Sequence, residues 1–131
     1  MTLVVDASVV VAALIDGGPA GSWAEAVLAS DQIAAPHLMP AEAANILRRA
    51  DLSGEVSSDT AALAHADLLK LRTALFAYEP FAERIWELRA HVTSYDAWYI
   101  ALAESLDAPV ATLDRRLARA QQTRCAFVTP P

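Results

Sequence analysis

Cysteine occurs once in these 131 residues, at Cys125. That excludes an internal disulfide and a cysteine-built metal cage, and it suits a reducing compartment, so a cytoplasmic protein is expected. Glycine occurs four times, at Gly17, Gly18, Gly21 and Gly54, never in the spacing of a phosphate-cradling loop. No apolar run reaches the roughly 18 to 20 residues that cross a bilayer. The start, MTLVVDASVV, has no basic segment and carries an acid within its apolar run, so neither a membrane span nor a signal peptide is expected. The single lysine, Lys70, sits inside a helical segment, whereas a phospho-acceptor receiver domain needs one at a strand end. His37, His65 and His91 have no spacing that pairs them for metal binding or acid–base work, which argues against a metal-free ribonuclease. After the first strand the sequence is Asp6-Ala7-Ser8, not the Asp-x-Asp of an aspartate-nucleophile phosphatase.

What is present is apolar and acidic. Hydrophobic residues make up 55% of the chain, which excludes disorder and supports one domain over residues 1–131 with its own core. The formal charge of −6 argues against a nucleic-acid partner at first sight, yet four of the ten basic residues lie in 115–131, where there is no acid.

Periodicity and turn chemistry predict short strands at Leu3–Val5, Ile33–Ala35, Leu75–Tyr78, Val110–Thr112 and Ala126–Thr129. Helices are expected over Ala7–Ile15, Ser22–Ser30, 39–52, Ser58–Thr73, Pro80–Arg89, Tyr95–Leu106 and, briefly, Arg115–Ala120, with GGPAG at 17–21 ending the first. Apolar strands alternating with helices read as α/β with a parallel sheet, and right-handed crossovers put helices on both faces. The two consecutive helices at 39–73 form an extra helical arm.

Helices that follow strands begin at the carboxyl edge of such a sheet, where ligands bind. Four acids are expected there: Asp6 directly after the first strand, Glu42 in the first turn after Pro40, Asp96 at the start of the helix leading to Val110–Thr112, and Asp114 just after that strand. Each has a purely structural alternative. Asp6 and Asp114 stand where N-caps belong, Thr93-Ser94-Tyr95-Asp96 resembles a capping box, and Glu42 suits a helix dipole. Capping, however, needs neither an acid nor a common location. Four carboxylates in one cleft repel one another and must take up protons or hold cations. An oxygen-only ligand set suits Mg²⁺ or Mn²⁺, which activates water and stabilises charge on a phosphoryl oxygen.

The segments VVDASVVVAAL, PHLMPAEAANIL, TSYDAWYIALAE and VATLDRRLA resemble, in order and spacing over nearly the whole chain, the PIN-domain nucleases, in particular the VapC-like toxins of bacterial toxin–antitoxin pairs. The most specific portion is YDAWYIALAE joined to TLDRRL. The resemblance implies a PIN-like three-layer α/β fold, a central parallel sheet of four to five strands with helices on both faces and the two-helix arm. It implies Mg²⁺- or Mn²⁺-dependent endoribonuclease activity by metal-activated water, with the family's acids at Asp6, Glu42, Asp96 and Asp114 and its hydroxyl positions at Ser8 and Thr112. It further implies a cognate small antitoxin and a homodimer. The alternative is a PIN-like module that binds RNA or protein without cleaving; its signature, loss of an acid, is not seen.

Arg115, Arg116 and Arg119 either grip RNA phosphates or form a solvated helix face. Trp23, Trp86 and Trp98 are expected in the core or an interface rather than as base-stacking platforms, and Cys125 as a small core residue. Leu38, Met39, Ile46, Leu47, Leu52, Leu63, Leu68 and Leu69 on the arm are either ordinary core or a groove for a partner. The resemblance favours the antitoxin there.

Overall fold

The computed structural model describes residues 1–30 and 32–131. Its strands are β1 (Thr2–Val5), β2 (Gln32–Pro36), β3 (Thr73–Phe76), β4 (Val110–Ala111) and β5 (Phe127–Val128). Its helices are α1 (Ala7–Ile15), α2 (Pro19–Ser30), α3 (Met39–Leu52), α4 (Ser58–Lys70), α5 (Ala82–Glu87) and α6 (Ser94–Leu106), with 3-10 turns at Glu79–Phe81 and Leu117–Arg119. The five strands form one parallel sheet in the order β3-β2-β1-β4-β5. The chain moves outward through β1, β2 and β3, then returns across β1 to β4 and β5. Right-handed crossovers therefore place α1–α4 on one face and α5–α6 on the other.

β1 lies at the centre of the sheet, and Val4 and Val5 have no exposed surface. The apolar sequence continues past Asp6 because α1 is itself a core element. It packs against α2, α3 and α4, and Ala7, Val9, Val10, Val11 and Ala12 are buried. α6 is apolar nearly all round, the pattern of a helix enclosed on every side. Tyr99, Leu102 and Ala103 join the main core over the sheet. Ala97, Ile100 and Ala101 join a second cluster with Ile85, Leu88 and Leu117. Across it, the Arg84 guanidinium pairs with both Glu104 carboxylate oxygens, at 2.7 and 3.0 Å, and reaches the Gln122 carbonyl at 2.7 Å, tying the segment before β5 to α5 and α6.

Several expected boundaries are corrected. α2 begins at Pro19, not Ser22, because the proline takes the first helical position and Gly21 lies inside the helix. A Cβ at Gly21 would overlap the Asp16 carbonyl, so this glycine permits a close approach rather than ending a helix. β3 runs two residues earlier than expected, pairing Ile33 with Thr73 and Pro36 with Phe76. α4 accordingly stops at Lys70. The segment expected as a helix over Pro80–Arg89 is a 3-10 turn followed by six residues of α5, and Arg115–Ala120 contains only the turn Leu117–Arg119. Cys125 precedes β5 and is half-buried.

A candidate carboxylate site at the switch point of the sheet

β1 and β4 lie side by side, with Val4 opposite Val110 and Val5 opposite Ala111. Their onward connections run in opposite directions, which opens a crevice at their carboxyl ends. Asp6 leaves β1 there, and Thr112 and Asp114 leave β4.

Asp6 occupies the N-cap position of α1, but its side chain makes no capping bond. Instead the hydroxyls of Ser8 and Thr112 both donate to Oδ2, at 3.1 and 2.7 Å. Thr112 is fully buried, and its Oγ1 accepts the Asp114 backbone N–H at 2.9 Å. The Ser8 Oγ accepts the Leu113 N–H at 3.2 Å. Each hydroxyl thus donates once and accepts once, locking the Asp6 carboxylate against the β4 exit. Among the described residues no donor occupies Oδ1, which leaves that oxygen for a ligand.

The other acids divide between structure and site. Asp114 Oδ1 accepts the backbone N–H groups of Arg116 and Leu117, at 2.9 and 3.2 Å, so the capping reading holds for it. Its Oδ2 lies 3.9 Å from the exposed Arg116 guanidinium, a screened contact of little energetic weight. Asp96 lies in the first turn of α6, where Thr93 caps the helix by accepting the Asp96 N–H at 3.2 Å. Burial raises the Asp96 carboxyl above its ordinary range; the charges of Asp6 and Asp114 raise it further, against Arg116 and Thr93. Glu42, in the first turn of α3, is also raised, by burial first and then by Asp6 and Asp96, against a hydrogen bond from Tyr99. Glu42 and Asp96 are thus each raised in part by neighbouring acids.

That bond is the feature the sequence reasoning passed over. The Tyr99 hydroxyl, 1% exposed as a residue, donates to Glu42 Oε1 at 2.6 Å. Tyr99 stands three positions after Asp96 and so on the same helical face, but nothing in the sequence names Glu42 as its partner. Of the two expectations for Trp86, core or interface, the core is ruled out: it is 63% exposed, on α5. Trp98 does fit the core expectation, half-buried with its ring edge-on to Tyr78 at 5.4 Å. Of the three arginines singled out, Arg116 lines a cleft of about 440 Å³ whose wall includes Asp96. Arg115 turns toward the Pro130 carbonyl at 2.9 Å, and Arg119 is exposed.

Among the described residues, no three His, Cys, Asp or Glu side chains close into a preformed metal cage. The donor set nevertheless suits a hard divalent cation: mutually repelling carboxylates, an open Asp6 oxygen and no nitrogen or sulfur ligand. Mg²⁺ is characteristically held by one or two carboxylates while it keeps several waters, which an open edge of this kind permits.

A family model for the PIN domain matches residues 3–122. The chain is 42% identical over 123 residues to Ribonuclease VapC1 of Mycobacterium tuberculosis, covering 93% of this chain and 92% of that protein. Among solved structures it is similar to PAE2754 from Pyrobaculum aerophilum, with a TM-score of 0.70 and 24% identity over 97% of this chain and 83% of that one. It is also similar to a chain of VapBC2 from Rickettsia felis, with a TM-score of 0.69 and 13% identity over 98% of each.

Proposed function

The chain belongs to the PIN-domain family, and from that premise we propose that it is a metal-dependent endoribonuclease, the toxin of a toxin–antitoxin pair, acting at Asp6, Glu42, Asp96 and Asp114. The observation that carries this reading is Asp6 at the β1–β4 switch point, locked by the hydroxyls of Ser8 and Thr112 instead of capping its helix. A structural carboxylate has no need of two hydroxyl supports and a vacant oxygen.

Asp6 and Asp96 are the surest residues to hold Mg²⁺ or Mn²⁺, with Asp114 next and Glu42 contributing through water. When bound, the ion supplies positive charge beside the scissile phosphate and makes an attacking water more acidic. The protein's own contribution is positional. Ser8 and Thr112 fix the Asp6 carboxylate, and Tyr99 fixes Glu42. One of these carboxylates would take the proton from the attacking water. The new bond forms between water oxygen and phosphorus as the bond to the 3′ oxygen breaks, giving 5′-phosphate and 3′-hydroxyl ends. The overall acidity is no obstacle, because much of it is gathered where the cation goes.

The partner reading rests on the arm. Leu52, Leu63 and Leu69 are 70, 66 and 71% exposed, while Met39, Leu47 and Leu68 are buried. We assign the arm, with its exposed leucines, to the cognate antitoxin, and a homodimer as the resting assembly. No helix among the described residues is long and apolar enough to cross a membrane. The test is incubation of the purified, antitoxin-free chain with total RNA, with and without Mg²⁺ or Mn²⁺, and mapping of the cut ends. Metal-dependent cuts bearing 5′-phosphates support the reading; none, from folded protein, favours a non-cleaving module.

A further inference from the structure

The cleft beside Asp96 is walled by Arg89, His91, Thr93, Asp96 and Arg116. Its most instructive member is Arg89. The Arg89 guanidinium lies 4.7 Å from the centroid of the Trp86 ring, and its Nη1 donates to the Trp86 carbonyl at 2.8 Å. Among the described residues no carboxylate pairs with it. Arg84, five residues earlier, shows the contrast: its charge is taken up by Glu104 and Glu87. In a chain with more acids than bases, a guanidinium held over an exposed tryptophan with no carboxylate partner among the described residues is arranged for a ligand. Trp86 itself contributes little to the core, being 63% exposed.

The cleft thus offers a planar cation backed by an aromatic ring, further basic groups in His91 and Arg116, and a carboxylate of the candidate site at its end. An extended strand of nucleotides supplies the complements: a π-face for the guanidinium plane and phosphates for the charges. A base still paired in a duplex has its faces covered and cannot stack there. We propose that the Arg89–Trp86 pair is the platform on which one nucleobase near the scissile phosphate stacks, with an adjoining phosphate against Arg116. The proposal rests on the nuclease reading above and names the residues that position its substrate.

The experiment compares wild type, Trp86→Ala, Trp86→Phe and Arg89→Ala on one oligoribonucleotide that wild type cleaves, presented single-stranded and as a duplex, with binding of each form followed by fluorescence anisotropy. Thermal melts check the fold, and both positions are exposed, so the variants are expected to melt with wild type. For the single strand, Trp86→Ala and Arg89→Ala are expected to raise KM about tenfold with kcat within about twofold, while Trp86→Phe stays near wild type. Arg89→Ala should also reduce the salt slope of binding by about one. The duplex should be cleaved poorly by all four. Wild-type KM in both alanine variants, or equal cleavage of duplex and single strand, overturns the proposal. So does a result in which Arg89→Ala spares RNA binding and weakens only an acidic antitoxin peptide. If wild type cleaves no RNA at all, the nuclease reading fails, and anisotropy with the same variants still decides the cleft.

Discussion

The Tyr99 hydroxyl on α6 donates a 2.6 Å hydrogen bond to Glu42 Oε1 on α3, joining residues 57 positions apart across the two faces of the sheet. It ties the acid that follows β2 to the helix carrying Asp96. Tyr99→Phe keeps the ring and removes the donor, leaving Glu42 half-buried and unsupported. The variant should lose about 1–2 kcal/mol of stability in denaturant melts and about tenfold in RNA cleavage rate. Unchanged cleavage would show that Glu42 needs no such support.

Thr112 offers a second handle on the same centre. Thr112→Val preserves shape but removes the donor to Asp6 Oδ2 and the acceptor of the Asp114 N–H in a fully buried position. The expected cost is about 1–3 kcal/mol, with a large fall in activity. Ser8→Ala should be milder on both counts, because Ser8 is only half-buried and its bond to Asp6 is longer. Equal effects would place the control of Asp6 elsewhere.

The carboxyl shifts set a pH dependence with a definite sign. Asp96 and Glu42 are raised in the folded state by burial and by neighbouring acids. Their contribution to stability is therefore fully present below the ordinary carboxylate range and is lost as pH rises through the raised values. In chelator, Asp96→Asn should melt higher than wild type at neutral pH, and the difference should shrink on acidification. Added Mn²⁺ should raise the wild-type melting temperature far more than that of Asp96→Asn. A variant that melts lower than wild type at neutral pH in chelator would contradict the crowding of charge at this edge.

The exposed leucines of the arm predict a separation of stability from partnership. Leu63→Glu with Leu69→Glu replaces groups that are 66 and 71% exposed, so the melting temperature should move by no more than about 2 °C. Cleavage by the free chain should persist while neutralisation by the antitoxin weakens about tenfold or more. Full neutralisation would move the antitoxin off these leucines.

How far the sequence went depended on whether burial or local chemistry fixed each feature. β1 and α6 carry unbroken apolar patterns, and both lie within two residues of where those patterns put them. The places of Asp6, Glu42, Asp96 and Asp114 relative to the elements were legible because each follows a strand or opens a helix. β3 slipped because it is an edge strand whose central residues, Ala74 and Leu75, are exposed, so no alternating pattern marks its register. Gly21 read as a breaker because its reason, contact with the Asp16 carbonyl, is tertiary. Trp86 read as core or interface, and the core is excluded because α5 is only six residues long and buries Ile85, not its neighbour. Tyr99 went unassigned because its partner lies on another helix. No one-dimensional signal places the two together.

The central claim is that Asp6 serves the chemistry rather than the helix. Wild type and Asp6→Asn, purified free of antitoxin, should be compared on the same RNA in Mg²⁺ or Mn²⁺, with thermal melts in parallel. Asp6 makes no side-chain cap, and asparagine can still accept from Ser8 and Thr112, so Asp6→Asn should remain folded. Its metal-dependent cleavage should fall by about a hundredfold or more, the scale on which loss of a catalytic acid–base or charge-stabilising group is felt. Cleavage by folded Asp6→Asn at the wild-type rate would contradict the account.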